Sequence, residues 1–252
     1  MSLFEVGAIL LAGMAAGTIN TVVGSGTLIT FPTLLAFGIP PVTANVSNTI
    51  GLVPGGVSGA IGYRRELSGQ RRRILRLGAG SLIGGAIGAG LLLVLPDGAF
   101  AAIVPVLILL GCVLVVLQPR ISAWVARRHE GGVPEHGVWW VWPAVLLTGV
   151  YGGYFGAAQG VLLMAVMGIG IDESLQRLNG IKNVLASIAN AVAGVVFIAV
   201  ADVDWVVAGL IAIGSVVGGQ LGASYGRKLP SVALRGLIVL VGLVALTAFL
   251  LD

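Results

Sequence analysis

Two interrupted apolar stretches carry the polar side chains best placed to do chemistry. The first reads Asn20-Thr21-Val22-Val23-Gly24-Ser25-Gly26-Thr27, and the second Tyr151-Gly152-Gly153-Tyr154-Phe155-Gly156-Ala157-Ala158-Gln159-Gly160. A helix broken inside hydrocarbon is tolerated only where protein buries the freed backbone or an aqueous cavity wets it. A half-helix beginning near Gly26 or Gly160 would aim free N–H groups and its positive dipole end inward, a setting for an anion's oxygens. The competing account is that these glycines only allow close helix packing. Packing alone does not call for the adjacent Asn, Thr, Ser and Gln, so a site is favoured.

The segment after each break adds polar groups: Asn45, Ser47, Asn48 and Thr49 in the first half, and Arg177, Asn179, Lys182, Asn183 and Asn190 in the second. Lys182 is the lysine within reach of an apolar span, and an ionisable group there is costly enough to suggest function. The alternative is that it snorkels to the nearby membrane surface. Arg177, beside Asp172 and Glu173, reads as a solvated ion pair in a loop. The candidate binding set is therefore Asn20, Thr21, Gly24, Ser25, Gly26, Thr27, Asn48, Thr49, Tyr154, Gly156, Gln159, Gly160, Lys182 and Asn183.

Other chemistries find fewer residues. An intramembrane serine protease would need a Gly-x-Ser-Gly nucleophile and a histidine in a span. Val23 stands where the first glycine would be, and His129 and His136 both fall in a polar central stretch. No His/Asp/Glu ligand set lies within the spans, so neither a metal site nor metal hydrolysis is expected. Cys112 is alone in an apolar run, which excludes a disulfide or a cysteine cluster. No catalytic residue and no cofactor are expected. The spans also lack Asp and Glu, which argues against a buried carboxylate relay and for an anionic rather than a cationic solute.

The elements that must hold these residues are membrane helices. Of 252 residues, 57% are hydrophobic and 10% charged, whereas soluble domains average about 25% charged. Mean hydropathy is +1.05, and apolar stretches of about 20 residues, enough to cross about 30 Å of hydrocarbon, recur along the chain. The pI near 9.7 comes from short basic clusters between those stretches, the pattern of cytoplasmic loops. No extramembrane domain is left to bind nucleic acid. The first apolar run begins at Leu3 without a basic residue before it, so a cleavable signal is not expected.

The segmentation predicts a broken hairpin over 4–37, spans near 42–63, 75–95 and 99–118, and a polar linker over 119–137. A second broken pair follows over 138–170, then spans near 182–200, 205–225 and 232–251. This resumption is a repeat: Gly80-Ser81-Leu82-Ile83-Gly84-Gly85-Ala86-Ile87-Gly88-Ala89 matches Gly214-Ser215-Val216-Val217-Gly218-Gly219-Gln220-Leu221-Gly222-Ala223 at an offset of 218 − 84 = 134. The same offset would pair Gly26 with Gly160 and Pro96 with Pro230. The domains are thus a first repeat over 1–118, the linker, and a second repeat over 138–252.

Equivalent loops carry opposite charge. Residues 64–76 hold six arginines, while their counterpart near 198–205 holds Asp202 and Asp204. Asp97 faces a counterpart turn with Arg227 and Lys228. Positive loops stay in the cytoplasm, so the repeats should be inverted, with both termini outside and the linker inside. The expected fold class is an all-α integral membrane protein of two inverted repeats, each a broken, re-entrant hairpin plus three transmembrane helices. Secondary transporters built this way place their substrate near the midplane, at the repeat interface.

At these residues the chain resembles the TauE/SafE family, the sulfite exporter or sulfonate-uptake permease family of bacterial membrane transporters. The resemblance rests on Gly17-Thr18-Ile19-Asn20-Thr21-Val22-Val23-Gly24-Ser25-Gly26-Thr27, Phe31-Pro32, Gly38-Ile39-Pro40-Pro41, Ala44-Asn45-Val46-Ser47-Asn48-Thr49, Pro54-Gly55 and Tyr63-Arg64-Arg65-Glu66-Leu67. In the second half, Tyr151-Gly152-Gly153-Tyr154-Phe155-Gly156 looks like the family's Gly/aromatic stretch and Lys182-Asn183 like its Lys/Asn pair. Ala157-Ala158-Gln159-Gly160 departs from the Pro/Gly/Thr-rich run often seen there. The resemblance implies transport of sulfite, sulfoacetate or related organosulfonates across a bacterial inner membrane. The residues alone argue for a small anion. The expected partners are that anion and the lipid bilayer, with room for a homodimer; a channel, or less readily a structural membrane subunit, remains the other reading.

Overall fold

The structure is a computed structural model that describes residues 1–128, 137–226 and 231–251. His129, His136, Arg227 and Lys228 lie outside the described residues. The described residues form helices and no strands: α1 (Leu3–Val22), α2 (Thr27–Ala36), α3 (Pro41–Gly62), α4 (Arg71–Val94), α5 (Asp97–Arg128), α6 (Val141–Tyr154), α7 (Gln159–Gly170), α8 (Leu175–Val200), α9 (Trp205–Tyr225) and α10 (Ser231–Leu251). Among the described residues, five helices are long and apolar enough to cross a membrane. The protein is an all-α integral membrane protein.

Each half opens with two helices that fold back as a hairpin, of 20 and 10 residues in the first half and of 14 and 12 in the second. In the first, the Phe4 and Phe37 rings meet edge to face at 6.2 Å, so the hairpin's two ends come together. In the second, the Val138 N–H donates to the Gly170 carbonyl at 3.0 Å and ties the same two ends. Glycines with positive φ make the two breaks, Gly24 at +92° and Gly156 at +70°, a backbone region that L side chains rarely adopt.

These glycines correct the register expected at the breaks. Gly24 answers Gly156, an offset of 156 − 24 = 132, so Gly26 and Gly160 are not equivalent. The cause lies in the short helices: α7 has 12 residues and α2 has 10. Beyond them the offset of 134 is restored, since α3 and α8 start at 41 and 175, α4 and α9 at 71 and 205, and α5 and α10 at 97 and 231.

Packing partners exchange with the halves. α1 lies on α9 as α6 lies on α4; α3 lies on α9 as α8 lies on α4; α2 touches α10 as α7 touches α5; and α3 pairs with α8. The glycine motif shared by α4 and α9 lets the hairpin helices approach to backbone contact. A Cβ at Gly88 would lie 2.1 Å from the Val150 carbonyl oxygen, and one at Gly218 would lie 2.0 Å from that of Met14. α3 and α8 run antiparallel: Gly180 sits against Tyr63, Gly56 against Ser187, and Gly194 against Ile50. Behind the breaks, Phe31 of α2, Phe100 of α5 and Phe155 join edge to face and close the apolar core.

Helix ends differ from expectation in three places. α8 starts at Leu175 rather than near 182, because Ser174 caps it by accepting from the Arg177 N–H. Arg71–Arg76, expected in a loop, lie on the first turns of α4. α5 continues past 118 to Arg128, through Pro119.

Candidate functional site

The two breaks meet. The Gly160 N–H donates to the Gly24 carbonyl at 3.0 Å, and a Cβ on either glycine would lie 2.4 Å from the other's Cα. Only two glycines allow this crossing.

Beside it lies a cavity of about 30 Å³ lined by Asn20, Thr21, Gly24, Thr27, Leu52, Gly56, Gly156, Gln159, Gly160, Lys182, Asn183, Ala186, Ser187 and Asn190. That volume holds roughly a water or two, so the cavity is narrow as it stands. The lining carries amides, hydroxyls and an amine, with no carboxylate among the described residues.

Lys182 commands this cavity. It is fully buried, at 0% exposure, which rules out snorkelling. The early start of α8 explains this: Lys182 sits seven residues (182 − 175) inside the helix, about 10 Å from its end. Its Nζ donates to the carbonyls of Asn20 at 2.9 Å and Thr21 at 3.1 Å. These are carbonyls of the last turn of α1, where the helix dipole favours a cation. An ammonium carries three N–H donors, so one is left for the cavity. Asn179 and Asn183 reinforce the contact, their amides donating to the Thr21 carbonyl at 3.1 and 3.4 Å. Asn45, which pairs with Asn179 at the offset of 134, caps α6 in the same manner by donating to the Tyr154 carbonyl at 2.9 Å.

Gln159 is 3% exposed, and its Nε2 has no partner. A buried amide donor without an acceptor costs roughly 1–3 kcal/mol, and this one belongs to a residue of the cavity wall. Ser25 Oγ, also fully buried, has no partner either, though Ser25 does not line the cavity. Gln159 Nε2 is thus an unused donor in the cavity wall, free to meet an oxygen lone pair.

The expected free N–H groups at the start of α7 are not there. Gln159 N–H donates to Gly156, Gly160 to Gly24, and both Val161 and Leu162 to Ala158. At α2, the Gly26 N–H is taken by the Asn20 side-chain oxygen at 2.6 Å. The backbone donors at the start of α7 are thus committed within the protein, and the donors left at this part of the cavity are side-chain groups.

Of the remaining candidates, Gly26 packs against the Ala16 carbonyl. Asn48 joins α3 to α2 through hydrogen bonds with Thr27 and Thr30. Thr49 is buried outside the cavity wall, and Tyr154 packs its ring on Phe100. Leu52, Gly56, Ala186 and Ser187 line the cavity without having been singled out from sequence. The signal available for one of them was the offset of 134, which pairs Gly56 with Asn190. Arg177 forms the expected ion pair with Glu173 and is partly exposed, but it stands on the first turn of α8 rather than in a loop and also donates to the Glu66 and Ser68 carbonyls.

Comparison with known proteins finds relatives named as probable membrane transporters. The chain is 27% identical to the probable membrane transporter protein YfcA of Escherichia coli strain K12, over 100% of this chain and 93% of that protein. It is 26% identical to the probable membrane transporter protein ORF9 of Sinorhizobium sp, covering 96% and 90%, and 26% identical to the probable membrane transporter protein YdhB of Bacillus subtilis strain 168, covering 88% and 89%. No solved structure matches. Residues 9–249, both broken hairpins and the buried lysine included, match the model of one family, and the chain belongs to that sulfite exporter TauE/SafE family.

Proposed function

We propose that this membrane transporter is a secondary carrier of small sulfur-containing anions, sulfite or an organosulfonate such as sulfoacetate, across the bacterial cytoplasmic membrane. The observation that carries the proposal is the fully buried Lys182 at a cavity lined by Gln159, Asn183 and Asn190, with no carboxylate in its wall among the described residues. Ionisable groups inside membrane segments belong to substrate and ion pathways far more often than to packing. The family description supplies the sulfur oxyanion, and the unpartnered Gln159 amide offers a donor to such an oxyanion.

The two halves are read as inverted repeats, with both termini outside, the arginine-rich 64–76 segment inside, and the substrate held between the halves. The antiparallel crossing of α3 and α8 supports this, because a two-fold axis that exchanges an antiparallel pair runs across the helices, along the membrane plane. Single thiols at positions 72 and 203, in a background lacking Cys112, should label from opposite sides of the membrane. Labelling from one side would discard the inverted reading.

Transport follows if rocking of one half against the other opens the narrow cavity to each side in turn. A constriction that holds a water or two supports a carrier over an open pore. The decisive measurement is sulfite flux in proteoliposomes. Saturable flux with counterflow is expected, and Lys182→Met should reduce it at least about tenfold, the loss of one charge-assisted hydrogen bond. Flux linear with the gradient would favour a channel. Undiminished flux in a folded Lys182→Met protein would remove the lysine from the site.

A further inference from the structure

We infer that the arginine-rich face carries a site for a single anionic phospholipid, its phosphate at Arg64 and Arg65 and one acyl chain laid between α3 and α8. The observation is a pair of cavities that share one side chain. An open groove of about 440 Å³ runs between the two helices, lined by Val57, Ala60, Ile61, Leu67, Val184 and Ile188 and ending at Arg64. A second, polar pocket of about 270 Å³ lies on the far side of that residue, between the end of α3 and the end of α9, with Arg64, Arg65, Glu66 and Ser224 in its wall. Arg64 thus stands where an apolar trough meets a polar cup.

That order of surfaces matches one molecule. A free anion would use the cup and ignore the trough, and a neutral lipid would use the trough and gain nothing from the arginines. A phosphodiester with an attached chain and no headgroup cation to cancel its charge uses both. Burial of its CH₂ groups holds the chain in the trough, and the basic residues attract the headgroup phosphate. Glu66 lines the cup as well, so among the described residues two cations face one carboxylate and the balance still favours a singly charged phosphate. Arg64 and Arg65 are both exposed, able to reach outward. Ser187 lines the groove and the central cavity alike, so the seated chain would lie one side chain from the transported solute.

The test is native mass spectrometry of the whole protein in a neutral detergent, titrated with phosphatidylglycerol and, separately, with phosphatidylcholine. One phosphatidylglycerol should be retained in preference to phosphatidylcholine. The Arg64→Gln/Arg65→Gln variant should lose that retention at least about tenfold, whereas Arg71→Gln/Arg72→Gln, which removes two exposed arginines of the same face, should keep it. Ala60→Phe, which fills the trough without touching charge, should also lose it. If that variant does not fold, Ile61→Gln at an exposed wall position reads the same property. Equal loss in both arginine pairs would reduce the effect to diffuse surface charge and overturn the proposal. Retention in the groove variant, or equal binding of soluble glycerol phosphate, would overturn it too.

Discussion

At the scale of residues, the site depends on what Asn20 and Lys182 do for each other's elements. Asn20 uses its side-chain oxygen to receive the Gly26 N–H, capping α2 from the helix before it, and uses its backbone carbonyl to receive Lys182. The two duties can be separated. Asn20→Ala removes the cap and should cost about 1 kcal/mol of stability, seen as a lower melting temperature in detergent, together with weaker sulfite transport. Asn20→Asp keeps an acceptor for Gly26 but places a carboxylate beside Lys182. It should melt near the parent temperature and transport at least about tenfold less, because a negative charge then competes with the anion for the same cation. An Asp variant that transports normally would mean that the solute does not pass this residue. The sequence revealed that polar side chains cluster at the breaks, since Asn, Thr, Ser and Gln have no packing reason to be there. It did not reveal that Lys182 would land on the end of α1. That contact is between residues 162 positions apart in the chain, and it follows from how α8 packs rather than from any local pattern.

At the scale of elements, hydropathy located the helices because an apolar stretch has one low-energy shape in lipid. Their ends were harder, for physical reasons that differ from case to case. α8 begins before its apolar part, since Ser174 supplies a cap and Arg177 reaches across to the 66–68 carbonyls, so polarity there did not mean loop. The register at the breaks shifts by two residues because α7 is longer than α2, and no glycine match could show that while glycines are abundant throughout. The motif common to α4 and α9 was legible as a repeat but not as a packing surface. Its consequence can be measured. Gly218→Ala puts a Cβ 2.0 Å from the Met14 carbonyl oxygen, which forces α1 and α9 apart and should destabilise by about 1–3 kcal/mol. Gly209→Ala, on the same helix and with open space around it, should be neutral or stabilise by up to about 1 kcal/mol through helix propensity. Thermal unfolding of the two variants in one detergent compares them directly. Equal melting temperatures would mean that the glycine surface is not where these helices hold together.

At the scale of the molecule, the halves are joined on the arginine-rich side by a polar clasp that the sequence showed only as scattered charges. Glu173, between α7 and α8, accepts from Gln70 at 2.6 Å and pairs with Arg73 at 3.1 Å and Arg177 at 3.2 Å. Gln70 and Arg73 belong to the first half, and Arg177 fixes the turn of that half through the Glu66 and Ser68 carbonyls. Burial alone would raise the carboxyl's pKa. Hydrogen bonds from Gln70, the Ser174 N–H and Arg73, with the charge of Arg177, outweigh burial and hold it below the usual carboxylate value. A carboxylate whose folded pKa is depressed adds stability above its unfolded pKa, and that stability is lost as pH falls through the folded value. The clasp should therefore be intact at neutral pH and fail from about pH 4 downward, the unfolded range of a glutamate. Glu173→Gln cannot ionise, so it should melt lower than the parent at neutral pH, and the gap should close as the pH falls through that window. Because the clasp anchors the start of the helix that carries Lys182, the same variant should also change how fast a thiol at position 190 of the cavity wall is labelled from the arginine-rich side at neutral pH. A melting difference that stays constant from neutral to acid pH would show that the carboxylate's charge is not what joins the halves. An unchanged labelling rate would show that the clasp holds the fold without governing access to the cavity.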